Sequence, residues 1–160
     1  MSTKKKKSQA APSAGDALTR AQLIARLNDD LAGEYQAIIS YVIYSQAIKG
    51  ATYMAIAQEL EVHAGEELQH ALTIAAQIDY LGGMPTNQVK PVRISEDPKQ
   101  MLRFDLENEI DTIRNYRERV RQCEALGEFA IAEHLREILM DEQDHAIDLA
   151  MALGIDVPEI

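Results

Sequence analysis

Four stretches of the chain repeat apolar residues at steps of three and four, the period of an α-helix with one buried face. The third shows it most plainly, as Leu102, Leu106, Ile113, Tyr116, Val120 and Cys123. The first reads Leu27, Leu31, Ile38 and Tyr41, the second Leu60, Ile74, Ile78 and Leu81, and the fourth Leu135, Ile138, Leu149 and Ala152. The punctuation between them is as regular. Thr19 and Gln22 form a capping-box signature, so a first helix is expected from Thr19 to about Lys49, stopped by Gly50. A second is expected over about 52–81, ended by Gly82-Gly83. Residues 84–97 hold two prolines and no helical period, and predict an extended connection. Asp97 and Pro98 supply the N-cap and first position of a third helix that ends before Gly127. A fourth runs from about Glu128 to Leu153 and stops at Gly154.

Four long helices of similar length predict an all-α bundle. Short turns make the first and second helices, and the third and fourth, antiparallel neighbours. The connection between the second and third is long enough to run the length of the bundle, giving one long crossover. The chain also repeats itself at a shift of 75 residues. Leu27, Leu31, Glu34, Ile38 and Tyr41 fall on Leu102, Leu106, Glu109, Ile113 and Tyr116, and Asp30 falls on Asp105. Ile56, Leu60, Glu67, His70 and Ala71 fall on Ile131, Leu135, Glu142, His145 and Ala146. A pseudo-twofold axis should relate the two hairpins.

The gaps in the apolar stripes carry the chemistry. Glu34 and Glu109 sit mid-stripe on the first and third helices, and Glu67-x-x-His70 and Glu142-x-x-His145 sit mid-stripe on the second and fourth. An unpaired ionised carboxylate in a bundle interior costs several kcal/mol. No Lys or Arg falls on these stripes at the same level. Two divalent cations would supply the missing charge for four glutamates. Each Glu-x-x-His pair can share one metal, and Glu34 and Glu109 can bridge or cap. One inward Glu from each of two helices, with a Glu-x-x-His from each of the other two, is a known di-metal carboxylate pattern. Imidazole and carboxylate without thiolate suit iron, with manganese second.

Composition narrows the setting. The 160 residues are 46% hydrophobic, enough for a single core, and carry a net charge of −10. Residues 1–16 hold Lys4, Lys5, Lys6 and Lys7 against Asp16, a charge of +3 that leaves −13 on the rest. An acidic body argues against nucleic acid as its partner and suits cations. The segment 1–16 has no apolar period and is expected to be a disordered Lys-rich tail, ahead of a bundle domain over 17–160. A sharper reading makes the tail an arm that touches DNA or docks on a shell. There is no membrane-length apolar run and no secretory signal. With Cys123 as the lone cysteine, a cytoplasmic home is expected.

At these residues the chain resembles the bacterioferritins. The likeness covers about residues 17–153. It includes Asn28–Tyr41 around Glu34, Tyr80–Pro85 after the second helix, Met101–Leu106 leading to Glu109, and Glu137–His145. The resemblance implies a ferritin-like four-helix bundle with a ferroxidase centre inside each subunit, made of Glu34, Glu67, His70, Glu109, Glu142 and His145. It implies that two iron ions per subunit are held there, that Fe²⁺ is oxidised by O₂ or H₂O₂, and that homo-oligomers store the ferric product. Two positions depart. Bacterioferritins bind haem through a Met after the second-helix Glu; here that position is Leu68, so no haem is expected at the usual place. Residues 154–160 are too few for the family's short fifth helix, which puts a dimer or smaller assembly beside the closed shell.

Two further readings compete. A rubrerythrin-like di-iron peroxidase would carry a Glu where Thr112 stands and a Cys-rich domain. A DNA-protecting mini-ferritin would explain the lysines but not two Glu-x-x-His motifs in one chain. Among other residues, Tyr41 is either an electron donor, a hydrogen-bond donor to a ligand, or plain core. Asp141 and Glu66 are expected to hold the far nitrogens of the ligand histidines, or else to be solvated acids. His63 is either an entry ligand or a satisfied core residue. His134 and Cys123 are expected to have no chemistry, and Met54, Met101 and Met140 to pack.

Overall fold

The computed structural model describes residues 18–160. The tail over 1–16, with Lys4–Lys7, lies outside them. Helix α1 spans Arg20–Ala47, α2 Met54–Tyr80, α3 Pro98–Ala125 and α4 Phe129–Leu153. Local chemistry sets the ends. Thr19 accepts from the amide of Gln22 and its own amide donates to the Gln22 side chain, a complete capping box. Asp97 accepts from the Lys99 amide at 3.1 Å ahead of Pro98. Gly154 ends α4 at φ +69°, a left-handed conformation that a residue with Cβ adopts at a cost. Two ends differ from the sequence expectation. The α1 helix stops at Ala47, before Lys49, and a 3₁₀ turn over Ala51–Tyr53 precedes α2.

The helices form an antiparallel bundle. Asp30 meets Arg119, Glu34 meets Tyr116 and Tyr41 meets Glu109, so α1 and α3 run in opposite directions. His63 meets Asp148, Glu66 meets His145 and His70 meets Asp141, so α2 and α4 do the same. The crossover climbs α1 turn by turn. Thr86 donates its amide to Asn28, the Lys90 amide donates to the carbonyl of Ala32, and Gln36 donates to the carbonyl of Pro91. Tyr44 then donates to the carbonyl of Arg93. Gly83 starts this path with no room to spare: a Cβ there would lie 2.6 Å from Cγ2 of Ile24.

The core is divided. One apolar half holds Leu23, Leu27, Ile74, Ile78, Val120 and Leu135. The other holds Tyr44, Leu60, Leu102, Leu106, Leu149 and Ala150. The acidic residues picked out by the sequence lie in the layer between. Each half contributes the burial that stabilises the bundle, at about 25 cal/mol per Å² of apolar surface. Met101 is in the core as expected, but Met54 and Met140 are not: they are 66% and 62% exposed on outward helix faces. Among the described residues no helix is long and apolar enough to cross a membrane.

Candidate metal centre

All six residues singled out by the sequence converge. Glu34, Glu67, His70, Glu109, Glu142 and His145 are each no more than 3% exposed. The Nδ1 of His70 lies 3.0 Å from Glu67, 3.4 Å from Glu142 and 3.6 Å from Glu34. The Nδ1 of His145 lies 3.1 Å from Glu67, 3.3 Å from Glu142 and 3.9 Å from Glu109. Glu67 and Glu142 thus turn one oxygen toward each histidine. Two quartets result, Glu34–Glu67–His70–Glu142 and Glu67–Glu109–Glu142–His145, each with donor atoms within 4.8 Å of one another. The sequence left open whether Glu34 and Glu109 bridge or cap. The geometry puts them at the two ends and puts Glu67 and Glu142 in the shared middle.

Around this layer each side chain is oriented by another. The Nε2 of His70 is 3.1 Å from Asp141, and the Nε2 of His145 is 2.9 Å from Glu66. Both contacts cross between α2 and α4 and direct the Nδ1 atoms inward. Tyr41 donates to Glu109 and Tyr116 donates to Glu34. The repeat thus reappears as reciprocal pairs across α1 and α3. Tyr41 is a hydrogen-bond donor, and its partner is the glutamate on the opposite helix rather than Glu34 on its own. His134 is exposed and away from the layer.

The electrostatics are those of buried acid without enough cation. Burial raises the Glu67 carboxyl to about 8, helped by the charge of Glu34. Burial and Glu142 raise Glu109 well above the usual carboxylate range. Burial opposes charge on both imidazoles, but the surrounding carboxylates outweigh it: His70 is raised far above its ordinary value and His145 to about 12. Protons on the imidazoles therefore supply the local positive charge. Even so, Oε2 of Glu34, Oε1 of Glu67, both carboxylate oxygens of Glu142 and Nδ1 of His145 are buried without a hydrogen-bond partner. Orphaned oxygens converging with two imidazoles are the donor set of a pair of hard-to-borderline cations, and the cluster fits a di-iron site.

An opening reaches this layer from one side. A cavity of about 290 Å³ between α1 and α3 has Glu34, Glu67, Glu109 and Glu142 among its walls, together with Lys90, Thr112 and Arg114.

Two buried acids next to the layer were not assigned from the sequence. Asp30 is clamped by Arg119, at 2.6 Å from Nε and 3.0 Å from the second guanidinium nitrogen. Asp105, its mate at the 75-residue shift, has no such arginine, because Tyr44 stands where Arg119 would repeat. Its Oδ2 is buried and unpartnered, and burial followed by the charge of Glu109 raises its carboxyl well above the ordinary value. The signal for Arg119 was its place beside Tyr116 and Val120, one step off the apolar stripe.

Comparison with known proteins agrees with this arrangement. Residues 24–154 match the model of the ferritin-like domain, and the chain belongs to the ferritin-like family. It is 31% identical over 125 residues to a bacterioferritin of Brucella melitensis, covering 78% of each chain. It is 29% identical over 135 residues to a bacterial ferritin of Synechocystis, covering 83% of this chain and 86% of that one. Among solved structures it is similar to a ferritin-like, diiron-carboxylate protein of Bacillus anthracis, with a TM-score of 0.81 and 34% identity over 84% of this chain and 96% of that one. A Rhodobacter capsulatus bacterioferritin, solved with a metal-free dinuclear site and haem iron, gives a TM-score of 0.77 and 29% identity over 84% of each.

Proposed function

We propose that this chain is an iron-storage and detoxification protein whose buried Glu/His layer is a ferroxidase centre, oxidising Fe²⁺ to Fe³⁺ with O₂ or H₂O₂. The observation that supports it best is the pair of quartets sharing Glu67 and Glu142. Family membership supports iron storage at the coarser level.

In this reading Fe²⁺ is a substrate that enters through the α1–α3 cavity, where four glutamates form the wall ahead of it. Glu67 and Glu142 span both positions, Glu34 with His70 completes one, and Glu109 with His145 completes the other. Ligand imidazoles must be neutral and ligand carboxylates ionised, so uptake releases protons from His70, His145, Glu67 and Glu109. Asp141 and Glu66 accept from the outer imidazole nitrogens and keep each ring aimed inward. Tyr41 and Tyr116 hold Glu109 and Glu34 in place. The apolar halves above and below close the layer along the bundle axis and leave the α1–α3 cavity as its opening. Two adjacent irons supply two electrons, one from each Fe²⁺, to a single oxidant molecule. Thr112 at the cavity, where a rubrerythrin-like peroxidase would carry glutamate, favours ferroxidase over that alternative.

The further parts of the reading are a homo-oligomer of such subunits in the cytoplasm, no haem at Leu68, and a Lys4–Lys7 tail preceding the bundle. Anaerobic titration with Co²⁺ tests the centre. Paired binding in the buried layer should be abolished in Glu67→Ala and in Glu142→Ala. Unchanged stoichiometry in either variant would remove the assignment.

A further inference from the structure

Lys90 stands where the way to the buried layer opens. It comes from the crossover, and its amide donates to the carbonyl of Ala32 at 3.1 Å, which fixes its backbone against α1. Its side chain, 31% exposed, lines the α1–α3 cavity together with the four glutamates. Nζ lies 3.1 Å from Oδ2 of Asp29, whose side chain is 65% exposed. The stem crosses Gly33, the residue before Glu34: a Cβ at position 33 would meet Nζ at 3.6 Å and Cδ at 3.9 Å. That is ordinary contact, so alanine would fit, but a longer side chain would take the place of the lysine. The other cation in the cavity wall, Arg114, is paired within its own helix to Asp111 at 3.2 Å. Lys90 differs because its partner lies on another element and its flexible four-carbon stem can turn.

We propose that Lys90 is a gate on the α1–α3 cavity. Paired with Asp29, its ammonium is held outward and the glutamates are open to divalent cations. Released from Asp29, it turns across Gly33 toward them and closes the way. The buried layer itself supplies the driving force, since carboxylates that attract a metal ion also attract an ammonium. Asp29 competes for the same ammonium from the solvent side. Once cations fill the layer, their charge repels Nζ and returns it to Asp29. Asp29 is thus a positioning residue that acts through Lys90. The inference rests on the reading that divalent cations enter by this cavity, and not on their oxidation.

Stopped-flow mixing with Co²⁺ under nitrogen, followed by the visible absorption of the paired ions, reads admission without oxidation. Asp29→Asn should slow it roughly 3–10-fold, the effect of one unit charge on a divalent ion at several ångströms in water and moderate salt. Lys90→Met should be at least as fast as wild type. Asp29→Asn/Lys90→Met should match Lys90→Met, because Asp29 then has nothing to hold. Lys99→Met, the same charge change at the exposed start of α3, should leave the rate unchanged. Both residues of the pair are partly open to solvent, and such surface pairs add little to stability, so the variants should fold. An Asp29→Asn rate equal to wild type would overturn the gate. So would slowing by Asp29→Asn that persists in the double variant, which would make Asp29 an independent attracting charge. A wild type with no paired Co²⁺ signal would overturn the buried centre and the gate together, so the two failures are distinguishable.

Discussion

Asp141 on α4 faces the outer nitrogen of His70 on α2 at 3.1 Å, and so sets which nitrogen of that ring looks inward. Glu66 does the same for His145 from the opposite helix, at 2.9 Å. Both acids are about half exposed, so neither is needed to fill the core. Asp141→Asn and Glu66→Gln should therefore leave thermal stability within about 1 kcal/mol while weakening metal binding roughly 10–100-fold. Calorimetric titration with Co²⁺ under nitrogen separates the two effects. Wild-type affinity in both variants would make these acids ordinary surface groups.

Metal-free stability should fall as pH rises from 6.5 to 8. Glu67 has a folded value raised to about 8 by burial, and Glu109 is raised as well, so the folded chain keeps protons that the unfolded chain has lost. His70 and His145, raised by their carboxylate neighbours against the effect of burial, act in the same direction above their unfolded value of 6.5. Stability from a raised group is fully present below the unfolded pKa and is lost as pH rises through the folded one. His63, lowered to about 4 by burial, acts in the opposite direction near pH 6.5, where the unfolded imidazole still holds part of its proton, and this opposing slope fades as pH rises toward 8. Each retained proton contributes about 1.4 kcal/mol per pH unit. Saturating Co²⁺ should flatten the slope, since cations then replace the protons. Thermal melts of metal-free protein that rose across the window would show that the layer does not hold these protons.

The Asp30–Arg119 pair predicts a large asymmetry between single and double substitutions. Arg119→Leu leaves Asp30, which is 5% exposed, as an uncompensated buried acid, and should cost about 3–5 kcal/mol. Asp30→Asn/Arg119→Leu should recover most of that. Urea unfolding checks it, and equal losses in the single and double variants would show that the pair's charges are not coupled.

Much of this was legible in the sequence because helical period and chemistry coincide. Glu34 and Glu109 could be assigned to the interior because apolar residues flank them at steps of three and four, and the 75-residue shift put Tyr41 and Tyr116 in equivalent places. The crossed tyrosine contacts were not legible. A stripe gives a residue's face but not which opposing helix its hydroxyl reaches, and Tyr41 finds Glu109 rather than Glu34. Met54 and Met140 were misread for a related reason: a helix-forming apolar residue can sit on an outward face without penalty, and both do. Arg119 escaped because its charge argued for solvent, whereas Asp30 holds it inside.

Leu68 follows Glu67 on α2 and is 49% exposed on the outer face. Its side chain has no lone pair for iron. Purified protein should show no Soret band after haem is added, and Leu68→Met is the substitution that should introduce one. A stoichiometric Soret band in wild type, measured by absorbance after desalting, would mean that another residue ligates haem.

Oxidation of Fe²⁺ at the layer shared by Glu67 and Glu142 is the proposed activity. Stopped-flow absorbance of the ferric product, after Fe²⁺-loaded protein is mixed with O₂, tests it most directly. Wild type should oxidise two Fe²⁺ per chain in a fast phase. His145→Ala should lose that phase, since it removes the nitrogen donor of one quartet, while His134→Ala, on the exposed face of α4, should keep it. A fast phase that survives in His145→Ala would place iron oxidation elsewhere in the molecule.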